Sequence, residues 1–248
     1  MAERVAEKAC LVAGGSGRLG GAVAVELARR GWLVGVHCHA RRAEAERVAA
    51  ECGGGAFALG ADLRSRPAAD NLVAGFVERA GAAPGCLVVA TGLARDAPLI
   101  AARESDWDET VAVNLSGLAW LLRAAAARWV EADPPGGQAV LIGSNAGLAG
   151  REGGAAYGAS KAALMGLMRS VARELGGRGV RVNVLIPPFI PEGMGLAASE
   201  AFRKKARRES VAGRTGSAEE FARFVADMAE TRGVSGQVLA ADTRILPW

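Results

Sequence analysis

Aromatic side chains make up only 5% of the 248 residues. They are too few, and too little interleaved with basic residues, to build the base-stacking platforms of a nucleic-acid binder. Half the residues are apolar, yet no run of about 18 apolar residues occurs, so no membrane span is expected. The opening M-A-E-R-V-A-E-K carries acids and no apolar stretch, which argues against a secretory leader. The four cysteines, Cys10, Cys38, Cys52 and Cys86, include no C-x-x-C pair. Three of them fall in or beside expected strands, so they read as reduced core thiols of a cytoplasmic protein. Internal repeats and a dividing linker are also missing. Neither sign of charge dominates: a net +4 and a pI near 9.2 suit anionic ligands but are too diffuse to imply nucleic acid.

What is present is rhythm. Short apolar runs over 8–13, 33–37, 56–61, 86–90, 138–142, 180–186 and 237–241 alternate with helical stretches. The main helices are expected over 42–51, 67–80, 105–130, 155–175 and 218–230. Uniformly apolar strands separated by helices imply a parallel sheet covered on both faces. The expected fold is therefore α/β, a single doubly wound Rossmann domain over 1–248 with a parallel seven-stranded sheet. Its ligands should sit at the carboxyl ends of the strands. Residues 188–216 break the rhythm with prolines, glycines and the basic run F-R-K-K-A-R-R, and read as a substrate lid.

Gly14, Gly17 and Gly20 lie between the first strand and the helix that follows. Glycines there allow a tight turn and the close approach of a pyrophosphate to free N–H groups at a helix start. A merely flexible glycine turn is the plainer alternative. After the second strand the chain reads H-C-H-A-R-R, with no acid to grip a ribose 2′-hydroxyl. His39, Arg41 and Arg42 there, and Arg18 in the first loop, suit a 2′-phosphate and so NADP(H), unless the arginines only begin a solvated helix. His37 and His39 stand two apart on a strand, but no third ligand accompanies them, so no metal site is expected.

Tyr157 and Lys161 share one face of a helix, with Cβ atoms roughly 5–6 Å apart. An ammonium beside a phenol favours the phenolate, so Tyr157 is expected to be pulled below the usual value of about 10. Ser144, thirteen residues upstream, ends an apolar run and is placed to bond the same substrate oxygen. Asn114 falls inside an expected helix, where asparagine is poor unless its side chain or the backbone does something else.

Together these residues resemble the short-chain dehydrogenase/reductase family over essentially the whole chain. The matching pieces are G-G-S-G-R-L-G, A-D-L at 61–63, V-N-L at 113–115, Ser144 with Y-G-A-S-K, and R-V-N-V at 181–184. The resemblance implies an Asn–Ser–Tyr–Lys tetrad at Asn114, Ser144, Tyr157 and Lys161. It also implies NADP(H) contacts at Gly14, Ser16, Gly17, Arg18, Leu19, Gly20, His39, Arg41, Ala61, Asp62, Leu63, Ala90, Thr91, Gly92, Tyr157, Lys161, Pro187 and Ile190.

Within the family, G-L-A-R-D-A-P-L at 92–99 and S-D-W-D-E-T at 105–110 are most similar to the 3-oxoacyl-[acyl-carrier-protein] reductases. That likeness implies reduction of a 3-oxoacyl thioester, with Arg178 offered to an acidic acyl carrier protein; the charge density of the run at 202–208 suits steering of such a carrier, or else a plain solvated helix face. The likeness also implies a tetramer built on the two long helices, with Trp107, Trp120 and Trp129 at the interface or in the core. A pteridine or other small-carbonyl reductase is the alternative, since R-L-G and H-C-H-A-R resemble that group. Three departures also allow a non-catalytic partner subunit of a heteromeric ketoreductase. V-A-T-G stands where N-N-A-G is usual after strand four. Pro187–Pro188 and Glu192 follow strand six, and A-D-T-R-I-L-P-W replaces the usual D-G-G ending.

Overall fold

In the computed structural model, which describes residues 4–246, strands and helices alternate along the chain. The order is β1 (Val5–Ala13), α1 (Arg18–Arg29), β2 (Leu33–Cys38), α2 (Arg42–Cys52), β3 (Phe57–Gly60), α3 (Arg66–Ala80), β4 (Ala83–Val89), α4 (Glu104–Val111) and α5 (Gly117–Glu131). Then come β5 (Gly137–Ile142), α6 (Ala146–Ala149), α7 (Ala155–Leu175), β6 (Val180–Ile186), α8 (Glu200–Glu209), α9 (Ala218–Glu230) and β7 (Val238–Ala240). The first three residues of the acidic opening, and the last two of A-D-T-R-I-L-P-W, lie outside the described residues.

All seven strands pair in parallel, in the order β3-β2-β1-β4-β5-β6-β7. Their period of two sends Leu11, Ala13, Leu87, Val89 and Leu141 to one face, beneath Phe76 of α3, Leu118 of α5 and Leu164 of α7. Cys10, Val12, Val36, Cys86, Val88 and Val140 point the other way, to Val23 of α1, Val48 of α2 and Phe221 of α9. Coverage of both faces is why the strands read as continuous apolar runs. β1 starts earlier than expected, because Val5 and Ala6 pair with Ala83 and Pro84 before a register shift. The strands meet closely there: a Cβ on Gly85 would lie 2.5 Å from the Ala6 carbonyl oxygen.

The expected continuous helix over 105–130 is two helices joined by a π-helical turn, Ala112–Ser116. The combined run Glu104–Glu131 is long and apolar enough to cross a bilayer, with mean hydropathy 1.3, but half its window is buried. Leu118, Leu121 and Trp129 carry it into the core. Trp129 is fully buried and donates from Nε1 to the Pro84 carbonyl at 2.6 Å. Trp107 and Trp120 remain partly exposed, the latter under the Arg66 guanidinium. Residues 188–216 contain a 3₁₀ turn, Gly193–Ala197, and α8, whose N-cap Ser199 accepts from Phe202 N–H. The C-terminal stretch holds this segment through Val211 N–H to the Thr243 carbonyl.

Candidate active site

The strand order reverses at β1, which lies between β2 and β4, and the crevice of a doubly wound sheet opens at such a point. Gly14 turns the chain there at φ +81°, and a Cβ on it would lie 2.9 Å from the Ala90 backbone. A Cβ on Gly20 would lie 2.3 Å from the Gly14 carbonyl oxygen, so α1 and the turn touch backbone to backbone. Gly17 is the N-cap of α1 and carries no capping side chain. The first N–H groups of α1, from Arg18, Leu19 and Gly20, are thereby left to an outside acceptor. Ser16 is buried beside them. This cradle fits a pyrophosphate.

Across the crevice three segments converge. α7 supplies Tyr157 and Lys161, the end of β5 supplies Ser144, and the π turn supplies Asn114. Lys161 is 3% exposed, and its Nζ donates to the carbonyls of Ile142 at 2.9 Å and Thr91 at 3.2 Å. One of its three donors is thus uncommitted. Nζ lies 5.9 Å from the centre of the Tyr157 ring. The Ser144 hydroxyl accepts from Ala146 N–H at 3.1 Å and lies near enough to the Tyr157 phenol to lower its proton affinity.

Asn114 is completely buried and behaves as a piece of backbone. Its Oδ1 accepts from Leu93 N–H and its Nδ2 donates to the Leu93 carbonyl, both at 2.8 Å. Nδ2 also reaches the Ser160 hydroxyl at 3.1 Å. Asn114 sits at the middle of the π turn, a departure from regular helix often found at functional sites. The side chain braces the loop after β4 against α7, rather than reaching Lys161 itself.

The proton affinities differ from the sequence expectation in one respect. Burial pushes the Tyr157 phenol above its ordinary value; the Ser144 hydroxyl and the nearby Arg151 guanidinium oppose that. Lys161 is itself pushed down to about 8 by burial, and the charges that bear on the phenol are those of Arg151 and Asp96. The cation closest in effect is Arg151, 5.5 Å from the ring centre and held by Asp96. Neither residue of that pair was marked by the sequence. The available signal was an arginine six residues before Tyr157 in the glycine-rich stretch G-R-E-G-G.

On the adenosine side, Arg41 stands closest to the turn, 3.6 Å from where a Cβ on Gly17 would be. His39 is exposed, 3.7 Å from the Asp62 carboxylate. Arg64 holds Asp62 at 2.6 Å and brings its carboxyl down to about 2. Ala61 N–H bonds the Cys38 carbonyl and Leu63 is buried, so this exit of β3 is well fixed. Arg42 turns to Glu46. Arg18 does not face the 2′-phosphate position: Glu192 and Glu219 take its guanidinium. Thr91 Oγ1 is buried without a partner, and Gly92 faces Met194 and Lys161. Pro187 follows β6, Pro188 packs against Gly216, and Ile190 joins the apolar cluster under α1 and α9.

A parallel sheet, a glycine turn at its switch point and a serine–tyrosine–lysine group beside it define an oxidoreductase. The chain belongs to the short-chain dehydrogenase/reductase family: a model described as short chain dehydrogenase matches residues 8–203. Among its relatives, the human "3-oxoacyl-[acyl-carrier-protein] reductase" is 32% identical over 95% of this chain and 97% of its own length. The Xenopus tropicalis "Carbonyl reductase family member 4" is 34% identical over 95% and 96%. A solved structure of a dehydrogenase/reductase from Sinorhizobium meliloti superposes with a TM-score of 0.88 at 32% identity, covering 97% and 96% of the two chains.

Proposed function

We propose that this protein reduces the keto group of a 3-oxoacyl thioester, carried on an acyl carrier protein or coenzyme A, with NADPH. The observation that carries the reading is the meeting of Ser144 Oγ and Tyr157 Oη beside a buried lysine at the mouth of the glycine turn. The reduced nicotinamide supplies the hydride. Tyr157 donates its proton to the carbonyl oxygen, a role suited to a phenol that burial keeps protonated at neutral pH. Ser144 donates to the same oxygen and stabilises the charge developing there. Lys161 offers its free N–H to the nicotinamide ribose and refills the proton on Tyr157. Asn114 fixes Leu93, and with it the loop whose Thr91 carbonyl holds Lys161.

Preference for NADPH rests on Arg41, which overhangs the turn and, among the described residues, is drawn into no salt bridge that would compete for a 2′-phosphate. The exposed arginines of α8, Arg207 and Arg208, and Arg178 support an acidic carrier as partner. Arg178 also donates to the Val130 carbonyl. The partly exposed Trp107 and Trp120, with Leu99 and Ile100, support a homo-oligomer.

A purified sample should oxidise NADPH with an acetoacetyl thioester and not with a dihydropterin; the reverse pattern selects the small-carbonyl alternative. Tyr157→Phe should keep NADPH affinity and lose about 10²–10⁴-fold in turnover. Arg41→Ala should weaken NADPH about tenfold or more and leave NADH unchanged. A second reading, a subunit active only with a related chain, is favoured by Arg18 being held by two glutamates beside the cradle. Turnover that appears only on adding the partner would select it.

A further inference from the structure

We propose that His37 is a positioning residue for the dinucleotide: a neutral imidazole that ties the glycine turn to the exit of β3. The inference rests on the dinucleotide reading above, and on geometry that reading does not use. His37 is 2% exposed, near the carboxyl end of β2. Its Nδ1 accepts from Gly14 N–H at 3.1 Å, and its Nε2 lies 3.1 Å from the Ala61 carbonyl oxygen. Ser16 N–H also reaches the His37 carbonyl, at 3.4 Å. One side chain therefore joins the two backbone segments that flank the cofactor cleft, the turn after β1 and the loop after β3.

Only one protonation state makes both ring bonds. An amide N–H can be received only by a bare Nδ1, and a carbonyl only by a protonated Nε2. A doubly protonated ring would face the Gly14 N–H with a proton and lose that bond. Burial and the charge of His39 both disfavour protonation and hold His37 below the ordinary value of 6.5; the Ala61 carbonyl opposes them. Other charges nearby are engaged with one another. Asp62 turns to Arg64 and His39, Arg66 of α3 to Asp70, and Arg18 of α1 to Glu192 and Glu219. From the turn, the Gly14 N–H meets the ring, and the Ser16 N–H meets the His37 backbone carbonyl. When the ring takes a second proton, the turn is released and the pyrophosphate cradle loses its shape.

The test is dinucleotide affinity, by titration calorimetry with NADPH, on wild type, His37→Leu and His37→Asn, between pH 5 and 8. His37→Leu should raise Kd on the order of tenfold at pH 7.5, measured where circular dichroism shows it folded. His37→Asn, which keeps an acceptor for Gly14 N–H, should recover part of the loss. Wild type should lose affinity as the pH falls below 6.5, a step absent from the His37 variants. A lower melting temperature with unchanged Kd would assign His37 a purely structural role and overturn the proposal. Wild type that binds no dinucleotide overturns the cofactor reading and this one with it; wild type and variant that bind alike overturn this one alone. Should both variants fail to fold, the imidazole nitrogen spectrum of wild type decides, because the chain has only two histidines. One ring protonated on Nε2 alone at pH 6.5, and shifted by NADPH, supports the clamp; two rings titrating like free histidine refute it.

Discussion

Arg18, the first residue of α1, hydrogen bonds Glu192, which lies 174 positions further along the chain. Its other arm takes Glu219 in the first turn of α9. All three side chains are well exposed, so the pairs contribute little to stability. They do set position: they draw the segment after β6 over the glycine turn, where a Cβ on Gly193 would come within 3.0 Å of Arg18.

Replacing Glu192 with Gln should loosen that tie. NADPH is expected to bind several-fold more tightly, and trypsin to cut within the basic run of α8 sooner. Unchanged affinity and unchanged cleavage would show that the contact governs neither.

Lys161 should leave its mark on stability as well as turnover. Its ordinary value of 10.5 is lowered to about 8 by burial. Between those values the unfolded chain binds more protons than the folded one, so folding stability rises with pH across that window. Below about 8 the full cost of the buried charge is present, on the order of 3 kcal/mol before its two carbonyl bonds offset part of it. In denaturant melts, wild type should gain on Lys161→Met between pH 8 and 10. Parallel curves would refute the burial argument. Reductive turnover should be level through neutral pH and decline above about 8 as Lys161 loses its proton.

Arg151 stands over the Tyr157 ring and lowers the proton affinity of the phenol; Asp96 acts the other way. Arg151→Gln should therefore raise that affinity further. Alcohol oxidation, which needs the phenolate, should shift its rising limb to higher pH, while Asp96→Asn shifts it lower. Identical profiles for all three proteins would detach this pair from the chemistry.

Gly20 is required by contact rather than flexibility. In Gly20→Ala the new methyl would lie 2.3 Å from the Gly14 carbonyl oxygen, and backbone has to move. A loss of about 1–3 kcal/mol in stability is expected, with dinucleotide binding weakened alongside. Gly166→Ala on α7, where nothing lies within 4 Å, serves as the control.

Much of this was open to inspection in the sequence. The alternation of apolar runs with helical stretches gave seven parallel strands, and the limits of α7, β6 and α9 were readable from the same period. The spacings of Ser144, Tyr157 and Lys161 were readable too, because strand ends and helix faces fix short-range geometry. The π turn at Asn114 was signalled only by an asparagine where a helix former was expected. The partner of its side chain, Leu93, lies 21 residues away. The balance between Tyr157 and Lys161 is not legible in the sequence, since spacing reveals proximity but not desolvation.

The order of residues determined the sheet, the glycine turn and the face that Tyr157 and Lys161 share, because these follow from local periodicity and sterics. Only the tertiary structure decided that Arg18 serves Glu192 and Glu219, that Arg151 rather than Lys161 bears on the phenol, and that His37 bridges Gly14 and Ala61. Charges and hydrogen bonds act over a few ångströms of space, and a linear chain does not state which distant residues will share those few ångströms, or how much water will be left between them.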